Sequence, residues 1–313
     1  MATILITHGV PREGFSLLQG HRLLIPEPLQ AFTEEELCRL IPEVDAVVAG
    51  GRLSAAVIRR GVRLKIIANY GAGYDSVDIR EAARQLIPVT NIPDTVTHDT
   101  AELTIGLMLA VSRRIGEMNL RAHLEQPEGL FGMGRYMGRS LRGQTLGIIG
   151  AGRIGTQVAV LARALGMSVL GYSRHGADAD SFTPVSMEEL LARSDMVSLH
   201  CPLTDETRHL MNTRTLGMMK PGSVLINTAR GAVVDTEALY DALSRGHLAG
   251  AGLDVYEDEP RMPSSLRVLP NVVLTPHIGT NTEQTRFEMA QACSRQILDA
   301  LAGKRPEHIV NGL

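Results

Sequence analysis

The sequence predicts an α/β protein built from two doubly wound domains, each with a parallel sheet. Two observations support this prediction. Short apolar runs alternate with helical patterns along almost the whole chain, which is typical of parallel strands covered by helices on both faces. The chain also has 313 residues, which is enough for two domains that each bury a hydrophobic core.

The first half of the chain contains apolar runs that we assign to strands. Helical patterns separate these runs, and the second pattern begins with Thr33 and Glu36, which have the spacing of a capping box. We expect strands at 3–6, 22–25, 45–48, 65–69 and 87–90, and helices near 11–19, 33–40, 54–60 and 78–85.

A glycine-containing loop follows the fourth predicted strand. Its sequence, Asn69-Tyr-Gly-Ala-Gly-Tyr74, lies at the carboxyl end of a strand, where parallel sheets bind their ligands. Gly71 and Gly73 would allow backbone N–H groups to face a small anion. An ordinary turn explains the same glycines, so this loop alone does not decide between the two interpretations.

The pattern changes in the middle of the chain. Leu103, Leu107 and Val111 keep helical spacing, and we predict one long helix from about residue 98 to His123 that links the two domains. The following segment, 126–142, has several glycines and no clear period. We expect it to form a surface loop or a subunit contact.

The second half of the chain predicts a further parallel sheet. Its strands are expected at 145–149, 168–172, 196–199, 223–227, 250–253 and 272–275, with helices that include 187–193 and 236–245. The last helical segment, 283–302, is expected to return to the first domain, which would then be discontinuous. The predicted domains are therefore 1–97 plus 285–313 and, between these two pieces, 98–284.

A glycine fingerprint follows the first strand of the second sheet. Gly150-Ala-Gly152-Arg-Ile-Gly155 lies between strand 145–149 and a helical pattern, and a second strand comes next. In such a unit the first glycine makes the tight turn, the second lets a pyrophosphate approach the backbone, and the third lets the helix pack on the strand. The helix N-terminus then binds the phosphates. We predict a dinucleotide-binding domain, with an ordinary glycine-rich turn as the alternative.

Composition argues against several other classes of function. The net charge is -3 and there are no basic blocks, which does not favour a nucleic-acid surface. The first ten residues predict a strand and not a signal peptide, and the apolar stretch 103–111 is too short to span a membrane. The cysteines, Cys38, Cys201 and Cys293, lie far apart, which suits a reducing cytoplasm and indicates no metal site.

Three chemically useful side chains follow three predicted strands of the second sheet. Arg230 comes after strand 223–227, Glu259 after 250–253 and His277 after 272–275. Reduction of a 2-keto acid needs a hydride on the carbonyl carbon and a proton on its oxygen, and a histidine beside a carboxylate can donate that proton near neutral pH. An arginine can bind a carboxylate through two parallel hydrogen bonds. Taken singly, His277 is also explained as a turn residue, Arg230 as part of a surface ion pair, and Glu259 as part of a solvated acidic loop.

Several motifs together resemble those of the D-isomer-specific 2-hydroxyacid dehydrogenases, over essentially the whole chain. Within that family, ANYGAGYD and GYSR are most similar to the glyoxylate/hydroxypyruvate reductases. The matching motifs are Asn69-Tyr-Gly-Ala-Gly-Tyr-Asp75, Thr100-Ala-Glu102-Leu, the glycine fingerprint, Asn227-Thr-Ala-Arg230-Gly231, Gly252-Leu-Asp254-Val, Glu259-Pro260 and Thr275-Pro-His277-Ile-Gly279.

The resemblance implies a Rossmann dinucleotide-binding domain, a smaller flavodoxin-like domain and a catalytic triad. Arg230 would bind the substrate carboxylate and keto oxygen, His277 would be the general acid and base, and Glu259 would pair with His277. The backbone of Ala72 and Gly73 would bind the substrate carboxylate. The cofactor residues implied are Thr100, Gly150, Gly152, Arg153, Ile154, Gly155, Cys201, Pro202, Thr228, Asp254 and Gly279. The family is usually dimeric through the long helix and the loop after it.

The end of the second strand of the fingerprint unit departs from the NAD-preferring pattern. An acidic residue there binds the ribose 2′-hydroxyl, whereas this chain has Ser173, Arg174 and His175. Serine and arginine can bind a 2′-phosphate, so we predict a preference for NADP over NAD. The alternative is that Arg174 is a solvated loop residue.

These observations predict a cytoplasmic reductase of glyoxylate, hydroxypyruvate or a similar 2-keto acid that yields the D-hydroxy acid. D-3-phosphoglycerate dehydrogenase is a second candidate, although no regulatory domain follows Leu313 in this sequence. Dehydrogenases of D-lactate, phosphite and formate have the same scaffold. A nucleotide-sensing corepressor is the alternative from a different functional class.

Overall fold

The computed structural model describes residues 1–124, 129–174, 176 and 180–313. Its strands are β1 Thr3–Ile6, β2 Arg22–Leu24, β3 Ala46–Ala49, β4 Ile66–Asn69, β5 Val89–Thr90, β6 Thr145–Ile149, β7 Ser168–Tyr172, β8 Thr183–Pro184, β9 Met196–Leu199, β10 Ser223–Asn227, β11 Leu248–Leu253 and β12 Val272–Leu274. Its helices are α1 Glu34–Leu40, α2 Ala55–Arg60, α3 Ile79–Arg84, α4 Thr97–Ser112, α5 Ile115–Leu124, α6 Arg153–Ala164, α7 Met187–Arg193, α8 Thr213–Met218, α9 Thr236–Ser244, α10 Ser264–Arg267 and α11 Glu283–Leu301.

The chain forms two compact units, each with its own parallel sheet. The first unit consists of Met1–Val96 and Thr280–Leu313, and the second of Thr97–Gly279. The predicted bounds, 1–97 plus 285–313 and 98–284, lie within a few residues of these. The two parallel sheets agree with the predicted fold class, two doubly wound α/β domains.

The first unit has the strand order β2-β1-β3-β4-β5, and all its strand pairs are parallel. Alternate strand residues enter two separate hydrophobic clusters, because successive side chains of a strand point to opposite faces. Ile4, Ile6 and Val48 pack with residues of α11, whereas Leu5 and Val47 pack with residues of α1 and α2. Burial on both faces explains why these strands are continuous apolar runs in the sequence.

The second unit has the strand order β12-β11-β10-β9-β6-β7-β8. Its strands are also divided between two buried clusters, with Ile149 and Leu199 in one and Ile148 and Met196 in the other. The glycine fingerprint follows β6, which lies between β9 and β7. The order places β10, β11 and β12 side by side, so the loops after them begin at the same edge of the sheet.

The predicted long helix is wrong in one respect, because the structure divides it into α4 and α5. Arg114 has a left-handed backbone (φ 56°) between the two helices. The carbonyl oxygen of Ser112, which a continuous helix would use for Gly116, accepts from the N–H of Arg139 instead (2.8 Å). This competing contact comes from a distant loop, so the local sequence does not reveal it.

Two smaller predictions also need correction. The segment predicted as a helix at 11–19 forms 3₁₀ turns at Arg12–Leu18, and Phe15 leaves helical geometry there. The second sheet has β8 as a further short strand, so it contains seven strands and not the six predicted.

Within the described ranges, no helix has the length and apolar character that a membrane crossing requires. The same residues include no cluster of three metal-binding side chains.

Candidate active site

The residues Arg230, Glu259 and His277 lie in the loops that follow β10, β11 and β12. These strands are neighbours in the second sheet, and their parallel pairing brings the three loops to one edge. The charge of Arg230 is close enough to Glu259 to lower the pKa of that carboxyl group. The structure therefore brings together the three side chains that the sequence predicted as a group.

His277 and Glu259 are in direct contact. The Nδ1 atom of His277 lies 2.7 Å from Oε2 of Glu259, and Oε1 of Glu259 accepts from the backbone N–H of Tyr256 (2.9 Å). Burial alone would raise the pKa of Glu259, but the hydrogen bond and charge of His277 and the Tyr256 N–H outweigh burial and leave that pKa below its ordinary value. Glu259 is therefore a carboxylate at neutral pH, and the Nε2 atom of His277 is not used in this contact.

A buried carboxylate holds the turn that carries His277. His277 has a left-handed backbone (φ 53°), which is uncommon for a residue other than glycine. Asp254, only 1% exposed, accepts from the hydroxyl of Thr275 (2.6 Å) and from the N–H groups of Ile278 (2.8 Å) and Gly279 (2.9 Å). Burial raises the pKa of Asp254, although these three donors and the charge of His277 oppose the rise. The predicted contact of Asp254 with the nicotinamide remains a prediction, whereas its contacts with this turn are observed.

The loop that carries Arg230 packs closely on the loop that carries Glu259. The side chain of Asn227 holds this loop through the N–H of Ala229 (3.0 Å) and the carbonyl oxygen of Arg230 (2.9 Å). A Cβ atom on Gly231 would collide with the backbone of Tyr256. Glycine at this position therefore allows the close approach of the two loops.

Ala72 and Gly73 belong to the first unit, in the loop after β4. The Nδ2 group of Asn69 donates to the carbonyl oxygens of Gly71 and Gly73 (both 2.9 Å), and Asn91 Nδ2 donates to that of Ala72 (2.7 Å). In a trans peptide the N–H group points away from the carbonyl of the same unit. The N–H groups of Ala72 and Gly73 therefore point away from these asparagines, as an anion-binding loop requires.

The glycine turn after β6 has the shape that a pyrophosphate needs. Gly150 has a left-handed backbone (φ 101°) and packs on the backbone of Cys201, which leaves no space for a Cβ atom. Gly152 has open space at its Cβ position and precedes α6, while Gly155 packs on the carbonyl of Gly150. The residues present therefore fit a dinucleotide, with Arg153 and Ile154 in the first turn of α6.

The other predicted cofactor residues lie at the same edge of the second sheet, because they follow its strands or, in the case of Thr100 in α4, lie beside a residue that does. Gly279 packs against the carboxylate of Asp254 and the hydroxyl of Thr100. The hydroxyl of Thr228 lies 2.9 Å from that of Thr104, one turn after Thr100 in α4.

Cys201 is buried, and burial raises the pKa of its thiol to about 11. The next residue, Pro202, is exposed.

Ser173 and Arg174 follow β7, as predicted, whereas His175 lies outside the described residues. Sequence reasoning missed the partner of Arg174. Its Nη1 atom lies 3.5 Å from Oε2 of Glu206, in the loop after β9. No local pattern links these two residues, because the contact joins loops that follow different strands.

A second histidine–glutamate pair was also missed. The Nε2 atom of His209 lies 2.5 Å from Oε1 of Glu257, and the hydroxyl of Thr236 donates to Oε2 of the same carboxylate (2.9 Å). Glu257 belongs to the acidic run that contains Glu259. This pair joins the loop after β11 to the segment after β9 and to the start of α9.

Comparison with known proteins gives one consistent result. Residues 105–279 match the family model of the D-isomer-specific 2-hydroxyacid dehydrogenase NAD-binding domain. A glyoxylate reductase of Thermococcus litoralis is 39% identical over 318 residues, covering 98% of this chain and 96% of that protein. A solved structure from Thermus thermophilus has a TM-score of 0.91 at 40% identity, covering 98% of this chain and 99% of its own. The NADPH-dependent glyoxylate/hydroxypyruvate reductase of Sinorhizobium meliloti, solved with NADP and malonate, has a TM-score of 0.88 at 30% identity and covers 99% of this chain and 96% of its own.

Proposed function

Because this chain belongs to the D-isomer-specific 2-hydroxyacid dehydrogenases and is an NAD(P)-dependent enzyme, we propose that it reduces glyoxylate, hydroxypyruvate or a similar small 2-keto acid with NADPH. The single observation that carries the proposal is the contact of His277 with Glu259 beside Arg230, on the sheet that also carries the glycine turn. This arrangement provides an acid, its carboxylate partner and a cation for the substrate.

Three side chains, Arg230, Glu259 and His277, contribute to the reduction. Bound at the glycine turn, the nicotinamide cofactor supplies the hydride. Arg230 binds the carboxylate of the keto acid and polarises its carbonyl group, because a guanidinium offers two parallel N–H donors. His277 donates a proton from Nε2 to the carbonyl oxygen, since its Nδ1 atom is held by Glu259. In the reverse direction the same Nε2 atom removes the proton of the hydroxyl group.

The first unit contains a further candidate for binding the substrate carboxylate. We assign the substrate carboxylate to the N–H groups of Ala72 and Gly73, whose direction is set by Asn69 and Asn91. Backbone N–H groups bind carboxylates without adding a side chain to the pocket, which suits a small keto acid.

The preference for NADPH over NADH rests on the end of β7. Ser173 and Arg174 replace the acidic residue that would bind the ribose 2′-hydroxyl, and a hydroxyl and a guanidinium can bind a 2′-phosphate. The similar reductase of Sinorhizobium meliloti is NADPH-dependent, which supports the same choice.

Steady-state kinetics test both parts of the proposal. The purified enzyme is assayed with glyoxylate, hydroxypyruvate, pyruvate and phosphohydroxypyruvate, each with NADPH and with NADH. We expect the highest kcat/KM for one of the first two substrates with NADPH. A higher kcat/KM with NADH would contradict the cofactor assignment, and a preference for phosphohydroxypyruvate would favour a D-3-phosphoglycerate dehydrogenase.

We also propose that the protein is a homodimer through the region predicted from the sequence. Large apolar side chains are exposed on α5 and in the described part of the following loop, and such patches mark interfaces. They are Ile115, Leu120, Leu124, Phe131, Met133 and Met137. Sedimentation equilibrium, in which a dimer has twice the mass of one chain, tests this proposal.

A further inference from the structure

The ion pair between Arg174 and Glu206 lies beside the glycine turn. Arg174 follows β7 and Glu206 lies in the loop after β9, while β6, which ends in the glycine turn, is the strand between them. The pair therefore joins the two loops that flank the cofactor-binding turn. The charge of Arg174 also acts on Cys201, whose backbone packs on Gly150.

Glu206 brings a carboxylate close to the strand end at which NAD-preferring domains of this kind have an acidic residue. In NAD-binding domains of this kind, an acidic residue at the end of the second strand accepts the ribose 2′-hydroxyl. Here Ser173 occupies that position, and the side chain of the next residue, Arg174, contacts Glu206 from the other side of the turn. Arg174 and Glu206 thus lie together near the strand end that distinguishes the 2′-hydroxyl of NAD from the 2′-phosphate of NADP.

The carboxylate of Glu206 is charged and can exchange Arg174 for another partner. A hydrogen bond from the hydroxyl of Thr204 (2.7 Å) is the main reason that the pKa of Glu206 is lowered, and the charge of Arg174 adds to the effect. The side chains of Arg174 and Glu206 are 51% and 67% exposed, so their mutual attraction is weak and either can take another partner.

Glu206 is not needed to close its own turn. The N–H of Thr204 donates to the hydroxyl of Thr207 (2.8 Å), and that hydroxyl donates to the carbonyl oxygen of Pro202 (2.6 Å). These bonds hold the loop after β9, and Glu206 adds its contact with Thr204 in the same loop. The contact of Glu206 with Arg174 instead reaches outside this loop, to the residue that follows β7.

We propose that Glu206 is a cofactor-specificity residue that accepts the 2′-hydroxyl of NADH and opposes the 2′-phosphate of NADPH. Arg174 then binds the 2′-phosphate of NADPH and Glu206 binds the 2′-hydroxyl of NADH, so the enzyme uses both cofactors. The charge of Glu206 limits the preference for NADPH. This inference rests on the proposed function, in which Arg174 binds the 2′-phosphate.

Calorimetric binding of NADP⁺ and NAD⁺ to Glu206→Gln tests the proposal without turnover. Glutamine keeps the size of the side chain and removes its charge. We expect the Kd of NADP⁺ to fall about threefold and that of NAD⁺ to rise about threefold, because exposed charge pairs have effects of this size. The ratio of kcat/KM values for NADPH and NADH should shift in the same direction by about tenfold.

Glu189→Gln is the matched control. Glu189 also pairs with an arginine, Arg193, on the exposed face of α7, and its loss changes the net charge equally. We expect unchanged Kd values for both cofactors in this variant. The proposal is overturned if Glu206→Gln changes both Kd values by the same factor, as loss of a purely structural contact would, or if it leaves both unchanged.

The outcome for Glu206 can be separated from that for the proposed function. If the wild-type enzyme prefers NADH, the NADPH assignment is wrong, but the change in the Kd ratio between wild type and Glu206→Gln still tests Glu206. Arg174→Ala completes the set, because it should weaken NADP⁺ binding and leave NAD⁺ binding nearly unchanged.

Discussion

Two histidine–glutamate pairs lie in the second unit and look alike locally. His277 and His209 both have left-handed backbones, with φ of 53° and 50°. Each places a ring nitrogen within hydrogen-bond distance of a carboxylate, Glu259 or Glu257. Both carboxyl groups have lowered pKa values, because hydrogen bonds outweigh the opposing effect of burial. Neither the contact nor the pKa distinguishes a catalytic pair from a structural one.

The surroundings of the two pairs differ. Glu259 has the charge of Arg230 nearby, and the turn of His277 is held by the buried carboxylate of Asp254. Glu257 instead accepts a second hydrogen bond from Thr236, at the start of α9, and so joins three segments of the chain. His277, the proposed catalytic histidine, therefore differs from His209 in the positive charge near its glutamate and in the buried carboxylate that holds its turn.

Replacement of the two histidines should give the largest difference. His277→Ala should lower kcat for reduction about 10²–10⁴-fold, because it removes the proton donor. His209→Ala is the control and should retain kcat within about twofold, since it removes only a surface contact. Initial rates measure the effect, and calorimetric cofactor binding shows that the sites remain intact. Similar losses in both variants would contradict the assignment of His277.

Replacement of the two glutamates should separate the pairs by pH dependence. Because the pKa of Glu259 lies below its ordinary value, Glu259 is ionised at neutral pH and places a negative charge beside the ring of His277. Glu259→Gln removes this charge, so the rate of reduction should begin to fall at a lower pH on the alkaline side. Glu257→Gln should keep the wild-type profile. An unchanged profile for Glu259→Gln, measured as kcat against pH, would argue against the pairing.

The smallest effect is expected on stability in Glu257→Gln. The variant loses the carboxylate that His209 and Thr236 contact. The free energy of unfolding should therefore fall by about 1 kcal/mol without a change in kcat. The pKa of Glu257 is lowered in the folded protein, so its contribution is present at neutral pH and is lost as the pH falls through that lowered pKa. Thermal unfolding should therefore differ between wild type and variant at neutral pH and converge in acid. A constant difference at every pH would contradict this explanation.

Much of the fold followed from local sequence. Strands buried on both faces are apolar runs, and the glycine fingerprint marks the start of the second sheet, so both could be predicted. Arg230, Glu259 and His277 could be grouped because parallel strands end at one edge. The direct contact of His277 with Glu259 agrees with that grouping, while the catalytic roles of the three residues stay predictions.

The remaining features depend on contacts between distant segments. The break between α4 and α5 requires Arg139 to take the carbonyl of Ser112, and no residue near Arg114 signals it. The partners of Arg174 and Glu257 come from loops whose paths the sequence pattern does not determine. Asp254 was predicted as a cofactor residue from resemblance, and only the structure shows its three contacts with the His277 turn.

Arg230, Glu259 and His277 all belong to the second unit, whereas the proposed carboxylate loop at Ala72 and Gly73 belongs to the first. The proposed acid–base residue, its carboxylate partner and Arg230 therefore share one unit, whereas the loop after β4 belongs to the other. Substitutions in the loop after β4 therefore leave the residues of the proposed acid–base pair unaltered.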